Sequence, residues 1–507
     1  MSGAAFLSIR NGDILRLKDV PHLAPAEFRD HILRGVDSGW RIVSLFGKPI
    51  ADRYVRLYAV MANDRQGSLS LCSADVTDQY PALTGECPQA HWFEREIAEQ
   101  WGVIPKGHPW LKPVRFHEVY RFGTDAWGRD PSKKILPGVT DFFQVRGEEV
   151  HEVAVGPVHA GVIEPGHFRF QCHGEKVFHL EISLGYQHRG VERSLIGAPA
   201  KRVFHYMETL AGDTTIGHAT AYAQAMETLA RCKVPARAQA LRGVMLELER
   251  LANHAGDLGA LAGDVAYLPT ASYCGRIRGD FLNLSALICG SRFGRGMILP
   301  GGVRFDLDEK NIAELLSRLN GIYKNLCGAV NLLWDSPSVM NRFEGTGTLS
   351  AEACENLGLV GIPARACGLE RDIRFDFPAG IYRLAQLPVS TYTSGDVFAR
   401  AYVRWLEVQR SVDFLQNQLA TMPEGPVSET LAHPASETLT VSLVEGWRGE
   451  ICHVAMTDKH GHIAHYKVVD PSFHNWMGLA MALRGEPISD FPLCNKSFNL
   501  SYCGHDL

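Results

Sequence analysis

The sequence predicts an α+β fold in which a bundle of long helices, flanked by β-sheets, follows a small α/β domain. Three observations predict it. The chain has 507 residues, which is too long for one ordinary core. Segments 236–260, 308–333 and 396–419 repeat apolar residues at a spacing near 3.6, as long amphipathic helices do. Runs of β-forming residues precede these segments at 168–184 and follow them at 438–456.

Residues 1–127 have the pattern of the small α/β domain. β-forming residues cluster in three predicted strands, which cover 42–47, 54–62 and 67–72. The apolar spacing of 24–33 predicts a helix, and so does that of 91–103, which Gly102 ends. Short strands and helices mixed in one segment are typical of an α/β unit.

A linker of residues 128–150 is predicted next, because it is rich in glycine, proline and charged residues. The second unit, residues 151–507, opens with two strand-like runs joined by a turn at 173–176, and the long helices follow. The sequence has no internal repeat and no low-complexity tract. The chain is therefore predicted to have two domains, of which the second is much the larger.

Composition and charge exclude several classes of function. A net charge of −5 offers no electrostatic basis for binding nucleic acid. No apolar run approaches the roughly 20 residues that span a bilayer, and the first residues lack the pattern of an export signal. We therefore expect no nucleic-acid partner, and we expect any membrane association to come through other subunits.

The 12 cysteines predict neither a disulfide framework nor an iron–sulfur cluster in this chain. No two of them have the Cys-x-x-Cys spacing, so most are expected to be small buried residues. No GxGxxG loop opens a helix after a strand, and no P-loop is present. NAD(H), if it takes part, is expected to bind another subunit.

Three motifs in the first unit carry a resemblance. They are Glu94-Arg-Glu-Ile, Trp101-Gly-Val and Gly107-His-Pro-Trp-Leu. Together they resemble the signature of the small peripheral-arm subunit of respiratory complex I. Without that resemblance they predict only a charged helix followed by a Gly-His-Pro turn.

A longer series of motifs fills the second unit in the order of a known family. They lie at 156–161, 164–170, 185–193, 247–254, 300–303, 363–368, 395–400, 448–450 and 471–476. They resemble the catalytic large subunit shared by complex I and the membrane-bound nickel–iron hydrogenases. Because both units are joined in one chain, the whole is similar to the large subunit of the formate hydrogenlyase type.

The C-terminal segment 490–507 resembles the end of a nickel–iron hydrogenase large subunit, which carries two of the cysteines that hold the metals. The resemblance puts the ligand positions at Ala211, Thr214, Ser501 and Gly504. A nickel–iron centre needs soft thiolate donors, which none of these residues has. We therefore predict no metal in this chain and keep hydrogenase activity only as a remote alternative.

In complex I the corresponding cavity binds a quinone headgroup, and the resemblance implies the same here. His159 matches the family's histidine that donates a hydrogen bond to the quinone, whereas Gly212 stands where the family has a tyrosine. His159, Asp213 and His218 are the catalytic candidates, and Tyr206 is a further substitute for the tyrosine. An imidazole can donate to a carbonyl and supply a proton. An ordinary loop histidine remains the alternative for His159.

Five charged residues form the predicted coupling network: Arg189, Glu192, Glu247, Arg250 and His254. The last three follow one another at spacings of three and four positions, so they share one helix face. Such a network links redox chemistry to proton movement, or it is an ion-pair lattice that ties the helices together. Both alternatives are open.

The resemblance implies a peripheral large subunit of an ion-translocating oxidoreductase complex on the cytoplasmic face of the cell membrane. It would bind no cofactor itself and would pass electrons from a 4Fe–4S cluster of an iron–sulfur subunit to a quinone-like acceptor. Antiporter-like and other integral membrane subunits, and a formate- or NADH-oxidising module, are the other expected partners. Arg292, Arg365 and Arg371 are candidates to face the iron–sulfur subunit, to raise the potential of a nearby cluster or to stabilise the bundle. The alternative is a non-catalytic coupling or scaffold subunit.

Overall fold

The computed structural model describes residues 7–51, 53–121, 123–130, 132–159 and 163–507. Residues 1–6, 52, 122, 131 and 160–162 lie outside this description, and with them one position of the predicted linker and part of the 156–161 motif.

Strands lie mainly towards the two ends of the chain, and helices fill its middle. The strands are β1 (Leu7–Ile9), β2 (Ile14–Arg16), β3 (His22–Leu23), β4 (Arg41–Ala51), β5 (Tyr54–Asn63), β6 (Ser68–Val76), β7 (Gln79–Pro81), β8 (Ile104–Lys106), β9 (Val150–Val155), β10 (His167–His173), β11 (Lys176–Ser183), β12 (Ile298–Leu299), β13 (Gly302–Val303), β14 (Thr438–Gly446), β15 (Gly449–Thr457) and β16 (Ile463–Val469). The α-helices are α1 (Pro25–Asp37), α2 (His91–Trp101), α3 (Val191–Leu195), α4 (Ala200–Met207), α5 (Thr215–Leu229), α6 (Ala236–Asp264), α7 (Leu268–Cys289), α8 (Glu309–Trp334), α9 (Pro337–Phe343), α10 (Ala351–Leu357), α11 (Gly361–Ala366), α12 (Ile373–Asp376), α13 (Val397–Ala420), α14 (Pro471–Ala482), α15 (Phe491–Phe498) and α16 (Tyr502–His505).

The N-terminal sheet has the strand order β1-β6-β5-β4, and β3 pairs in parallel with β6. The strands predicted at 42–47, 54–62 and 67–72 are β4, β5 and β6, so that prediction is confirmed. Helix α2 packs against β4 and ends at Gly102, whose φ of +65° is a left-handed conformation that glycine adopts without strain.

Helices α6, α7, α8 and α13 form the predicted bundle of long helices. Helix α6 contacts α7 and α13, and α7 also contacts α8. The apolar positions of α6 that carried the prediction, Leu241, Val244, Leu248 and Leu251, are buried in the core. The α+β fold with a long-helix bundle and flanking sheets is therefore confirmed.

A second sheet, β16-β15-β14-β2, combines strands from the two ends of the chain. Its strands are antiparallel, and Thr438 and Thr440 of β14 pair with Arg16 and Ile14 of β2. Helix α5 packs on β14 and β15, and β14 is buried throughout. The first unit thus supplies an edge strand to the sheet of the second. The domain boundaries at 127 and 151 stay a prediction.

The C-terminal residues 500–507 are buried. Nε of Arg115, in the first unit, donates to the carbonyl of His505 at 3.0 Å. The carboxylate of Asp506 accepts the N–H groups of Gly185 at 2.8 Å and Gln187 at 3.1 Å. The tail is therefore an interior element, bonded to residues of both predicted units.

Candidate functional site

The tail brings the predicted metal-ligand positions to one buried place beside Cys503. The four positions are Ala211, Thr214, Ser501 and Gly504. Gly212, which precedes Thr214 by two positions, donates its N–H to the thiol of Cys503. The hydroxyl of Ser501 accepts the N–H of Gly504 at 2.9 Å. Two segments that are far apart in the sequence therefore meet as the resemblance implies.

The carboxylate of Asp470 occupies the space next to Gly504. A Cβ atom added at Gly504 would lie 2.6 Å from Cγ of Asp470. Asp470 is held there, because its Oδ1 accepts the N–H of Ser472 at 2.8 Å and its Oδ2 lies 3.1 Å from Nε2 of His218. A cysteine at position 504 would have to displace a carboxylate that is hydrogen-bonded on both oxygens.

The hydroxyl of Thr214 is equally engaged. It accepts hydrogen bonds from Nε1 of Trp447 at 3.1 Å and from Arg448 at 3.3 Å, and it donates to Asp213 at 3.1 Å. These oxygen and nitrogen groups do not fit a nickel–iron centre, which needs thiolates. Across the residues that the structure describes, no group of three or more His, Cys, Asp or Glu side chains could hold a metal ion. The prediction of no metal stays a prediction, supported by this packing.

Asp213 is the partner of a buried arginine. Its carboxylate accepts hydrogen bonds from Arg448 at 2.6 and 2.7 Å. Burial alone would raise the pKa of Asp213, but the guanidinium of Arg448 lowers it below its ordinary value. An ionised carboxylate accepts hydrogen bonds and donates none, so Asp213 is poorly suited to hold a quinone carbonyl.

His218 begins a chain of buried hydrogen bonds. Its Nδ1 lies 3.1 Å from Nε2 of His453, and Nδ1 of His453 lies 2.8 Å from the hydroxyl of Tyr466. Burial, and then the neighbouring His218, hold the pKa of His453 well below its ordinary value, so that ring is neutral. His218 itself is fully buried. This chain leads into the core behind the vacated ligand positions.

A cavity of about 500 Å³ has His159 on its wall. Its apolar lining comes from Val155, Ile163, Ile488, Phe491, Pro492 and Leu500. The volume lies in the range of sites for small organic ligands, which are mostly apolar with a few placed polar groups. Asp213 and His218 do not belong to the described residues that line it. The structure therefore separates them from His159, with which they were predicted as catalytic candidates.

His159 and Tyr502 face each other across one side of this cavity. The tyrosine hydroxyl lies 3.4 Å from Nε2 of His159, and the backbone N–H of Tyr502 donates to Glu164 at 3.2 Å. Burial lowers the pKa of His159 and raises that of Tyr502 to about 12. Both side chains are therefore uncharged near neutral pH and can donate hydrogen bonds to a carbonyl oxygen.

Six further polar residues among the described ones line the cavity, and none was a sequence-based site candidate: Asp264, Ser489, Asn495, Lys496, Asn499 and Tyr502. Asp264 is the last residue of α6. The surrounding protein atoms reduce its hydration and raise the pKa of its carboxyl to about 6, although the charge of Lys496 acts to lower that pKa. Tyr502 lies between the predicted ligand positions 501 and 504, and that position was a signal that could have found it. Tyr206, the predicted substitute, packs instead against a separate apolar cluster with Leu210.

Three of the predicted coupling residues do meet. Nε of Arg250 donates to Glu247 at 3.1 Å, and a terminal nitrogen of Arg250 donates to Glu407 at 3.2 Å. Nε2 of His254 lies 2.8 Å from the same oxygen of Glu407. Arg374 adds two contacts of 3.2 Å to Glu247. All these side chains are buried, so they form one dense network of charges inside the bundle.

The other two predicted coupling residues lie elsewhere. Arg189 donates to the carbonyls of Thr209 and Leu210, each at 2.8 Å. Glu192 accepts the N–H of Val468 at 2.9 Å and forms a 3.0 Å ion pair with Lys467. Arg189 thus holds the loop before Ala211, and Glu192 ties α3 to β16.

The three arginines that were candidates to face an iron–sulfur subunit have different surroundings. Arg365 is fully buried and contacts Glu407 at 2.6 Å, so it belongs to the network inside the bundle. Arg371 forms a 3.1 Å ion pair with Asp64 of the first unit. Arg292 is exposed. The burial of Arg365 inside the bundle favours the stabilising role, which stays a prediction for all three arginines.

Comparison with known proteins identifies the family. Residues 264–438 match the family model "Respiratory-chain NADH dehydrogenase, 49 Kd subunit", and residues 28–134 match "Respiratory-chain NADH dehydrogenase, 30 Kd subunit". NADH-quinone oxidoreductase subunit 4 of Thermus thermophilus is 30% identical over 370 residues, which are 68% of this chain and 90% of that protein. The chain belongs to the family of the 49 kDa subunit of respiratory-chain NADH dehydrogenase.

This member of the 49 kDa subunit family is also similar to subunits of hydrogenases. Formate hydrogenlyase subunit 5 of Escherichia coli is 28% identical over 433 residues, which are 84% of this chain and 76% of that protein. Membrane-bound hydrogenase subunit alpha of Pyrococcus furiosus is 27% identical over 367 residues, which are 69% of this chain and 85% of that protein. The predicted resemblance to complex I and to hydrogenases, with both units in one chain, is confirmed. None of the helices in the described segments is long and apolar enough to cross a membrane.

Proposed function

We propose that this chain is the large peripheral-arm subunit of a membrane-bound, ion-translocating complex, in which it passes electrons from an iron–sulfur subunit to a quinone-like acceptor. The chain is of the NADH-quinone oxidoreductase type by its family. One observation carries the finer proposal: a cavity of about 500 Å³ combines apolar walls with the His159–Tyr502 pair. The acceptor would bind in this cavity.

The chemistry of the lining supports this ligand. A quinone is an apolar ring with polar oxygens, which matches a mostly apolar cavity that has few hydrogen-bonding groups. His159 and Tyr502 would hold one carbonyl oxygen by hydrogen bonds. Asp264, whose pKa is about 6, is partly protonated near neutral pH and would supply a proton as the ring is reduced.

The relatives support the proposed partners. Formate hydrogenlyase subunit 5 and membrane-bound hydrogenase subunit alpha are named as subunits of larger assemblies. By analogy, this chain would sit at the cytoplasmic face of the membrane beside an iron–sulfur subunit with a 4Fe–4S cluster, and on antiporter-like membrane subunits. A formate- or NADH-oxidising module would supply the electrons.

The test uses the complex purified from native membranes, with every co-purifying subunit identified by mass spectrometry. The variant His159→Ala loses one hydrogen bond to the carbonyl oxygen, so its quinone reduction is expected to be about 10-fold slower. His460→Ala, at an exposed position, is the matched control and should keep the full rate. Quinone reduction by His159→Ala at the unaltered rate would contradict the proposal.

A second candidate is a non-catalytic coupling or scaffold subunit. The buried network of Glu247, Arg250, His254 and Glu407 favours it, because these charges do not line the cavity and tie α6 to α13. A quinone or a competitive inhibitor resolved in the cavity of the complex would count strongly against it. Nickel at one atom per chain in the purified protein would revive the remote alternative of a hydrogenase.

A further inference from the structure

Lys496 places a cation on the wall of the cavity that holds His159 and Tyr502. Its ammonium group makes one long hydrogen bond, 3.4 Å to Oδ1 of Asn499, which is a neutral acceptor. An ammonium group has three N–H donors. The donor capacity of Lys496 therefore exceeds what this single contact uses, and the side chain is only half-buried.

The other polar groups of the cavity lack a positive charge near neutral pH. The imidazole of His159 and the phenol of Tyr502 are neutral there, since burial lowers the pKa of the first and raises that of the second to about 12. Asn495 donates a hydrogen bond to the hydroxyl of Tyr502. Asp264 brings a carboxyl group, and the charge of Lys496 acts on it across the cavity.

We propose that Lys496 makes the cavity selective for ring ligands that carry an oxyanion, and that it stabilises the acceptor in its anionic state. This inference rests on the proposed function, which supplies the acceptor. Neutral hydrogen-bond donors bind a carbonyl oxygen and an oxyanion with affinities that differ only modestly. A nearby cation attracts the oxyanion much more strongly than the carbonyl where little water screens the charge. Lys496 is thus a specificity residue as well as a wall of the cavity.

The positive charge of Lys496 matters at the first of the two electron transfers to the quinone. One electron from the neighbouring iron–sulfur cluster converts a bound quinone Q into the radical anion Q•⁻. A second electron and two protons then convert Q•⁻ into the hydroquinone QH₂. Lys496 would stabilise Q•⁻ relative to Q, and so favour transfer of the first electron.

The test is a pair of matched ligands that bind without turnover. 2-Hydroxy-3-methyl-1,4-naphthoquinone is an anion at pH 7, and 2,3-dimethyl-1,4-naphthoquinone is a neutral ligand of nearly the same shape. The dissociation constants of both are measured by equilibrium dialysis against the purified complex. We expect the anion to bind at least about 10-fold more tightly, as one favourable charge contact of about 1.4 kcal/mol provides.

Substitutions at the cavity then locate the source of the preference. Lys496→Gln keeps a polar side chain and should bring the ratio of the two dissociation constants close to one, whereas Lys496→Arg should keep the preference for the anion. Lys310→Gln, at an exposed position of α8, is the matched control and should leave the ratio unchanged. Asp264→Asn removes a negative charge from the same cavity and should increase the preference for the anion several-fold. This variant tests the effect of charge in the cavity even if the Lys496 variants assemble poorly.

The outcomes separate this inference from the proposed function. If the complex reduces the dimethyl quinone and Lys496→Gln leaves the anion preference intact, the inference about Lys496 is wrong and the proposed function stands. If neither ligand binds and no quinone is reduced, the proposed function is wrong and the inference falls with it.

Discussion

The hydroxyl of Tyr502 lies 3.4 Å from Nε2 of His159, although the two residues are 343 positions apart in the chain. Tyr502 belongs to the buried C-terminal tail, and His159 belongs to the loop after β9. The backbone N–H of Tyr502 also donates to Glu164 on that loop. The tail that resembles the end of a metal-binding subunit thus forms one wall of an organic ligand cavity.

Tyr502→Phe tests this relationship directly. Loss of the hydroxyl removes one hydrogen-bond donor to the acceptor while it keeps the ring that packs against Trp476. We expect kcat/KM for quinone to fall about 10-fold, which corresponds to the roughly 1–1.5 kcal/mol of a single hydrogen bond. Steady-state kinetics of the purified complex measure it. Tyr54→Phe, at an exposed position, is the control; a Tyr502→Phe enzyme with control-like kinetics would rule out a role for the hydroxyl.

Asp264 predicts a pH dependence. Because its pKa is raised to about 6, the carboxyl is mostly protonated below that pH and loses its proton as the pH rises. If it supplies a proton to the reduced ring, the rate of quinone reduction should fall as the pH rises through about 6. Asp264→Asn should lower the rate and remove this step from the pH profile. A profile of the Asp264→Asn complex with the same step at the same pH would assign the step to another group.

Gly504→Cys tests the claim that Asp470 fills the vacated ligand position. The new Cβ would lie 2.6 Å from Cγ of Asp470, so we expect the free energy of unfolding to fall by about 1–3 kcal/mol from overpacking. Gly321→Cys is the matched control, since a Cβ there meets nothing within 4 Å. Urea unfolding of the two variants measures the difference. Equal stabilities would show that the site accommodates a cysteine, and the remote hydrogenase alternative would gain support.

Glu407→Gln tests the buried network. The carboxylate contacts Arg365 at 2.6 Å, His254 at 2.8 Å and Arg250 at 3.2 Å. Removing one partner leaves buried guanidinium groups less well compensated, so we expect a loss of about 3–5 kcal/mol in the free energy of unfolding. Glu314→Gln breaks an exposed pair with Arg318 and should change stability by less than about 1 kcal/mol. A loss for Glu407→Gln no larger than that of the control would contradict a stabilising lattice.

The long helices could be predicted from the sequence because their burial follows a local repeat. The prediction at 236–260 gave the first residue of α6, and the helix ends at Asp264 instead, since its backbone continues after the apolar repeat fades. The face shared by Glu247, Arg250 and His254 followed from the same local geometry. Glu407, the common partner of Arg250 and His254, lies more than 150 positions away, and no local pattern indicates it.

The site was predicted less completely, for a physical reason. His159 is a candidate because its loop resembles the family's loop with the quinone-binding histidine, and its side chain lines the cavity. The neighbours of Asp213 in the sequence include no partner for its carboxylate, so the sequence suggests that it can contact a ligand. In the fold Arg448, 235 positions later, forms an ion pair with that carboxylate. Tyr502 is absent from the sequence-based candidates, because the contact that gives it a role joins distant parts of the chain.

The pairing of β2 with β14 has a consequence for the time at which the protein folds. Thr440 of β14 donates its side-chain hydrogen bond to the carbonyl of Asp13, 427 positions earlier. At 5–20 residues per second, a ribosome would complete that interval in about 20–85 s. Throughout this delay the emerged β2 lacks its native neighbour, so the second sheet closes only after β14 has left the exit tunnel.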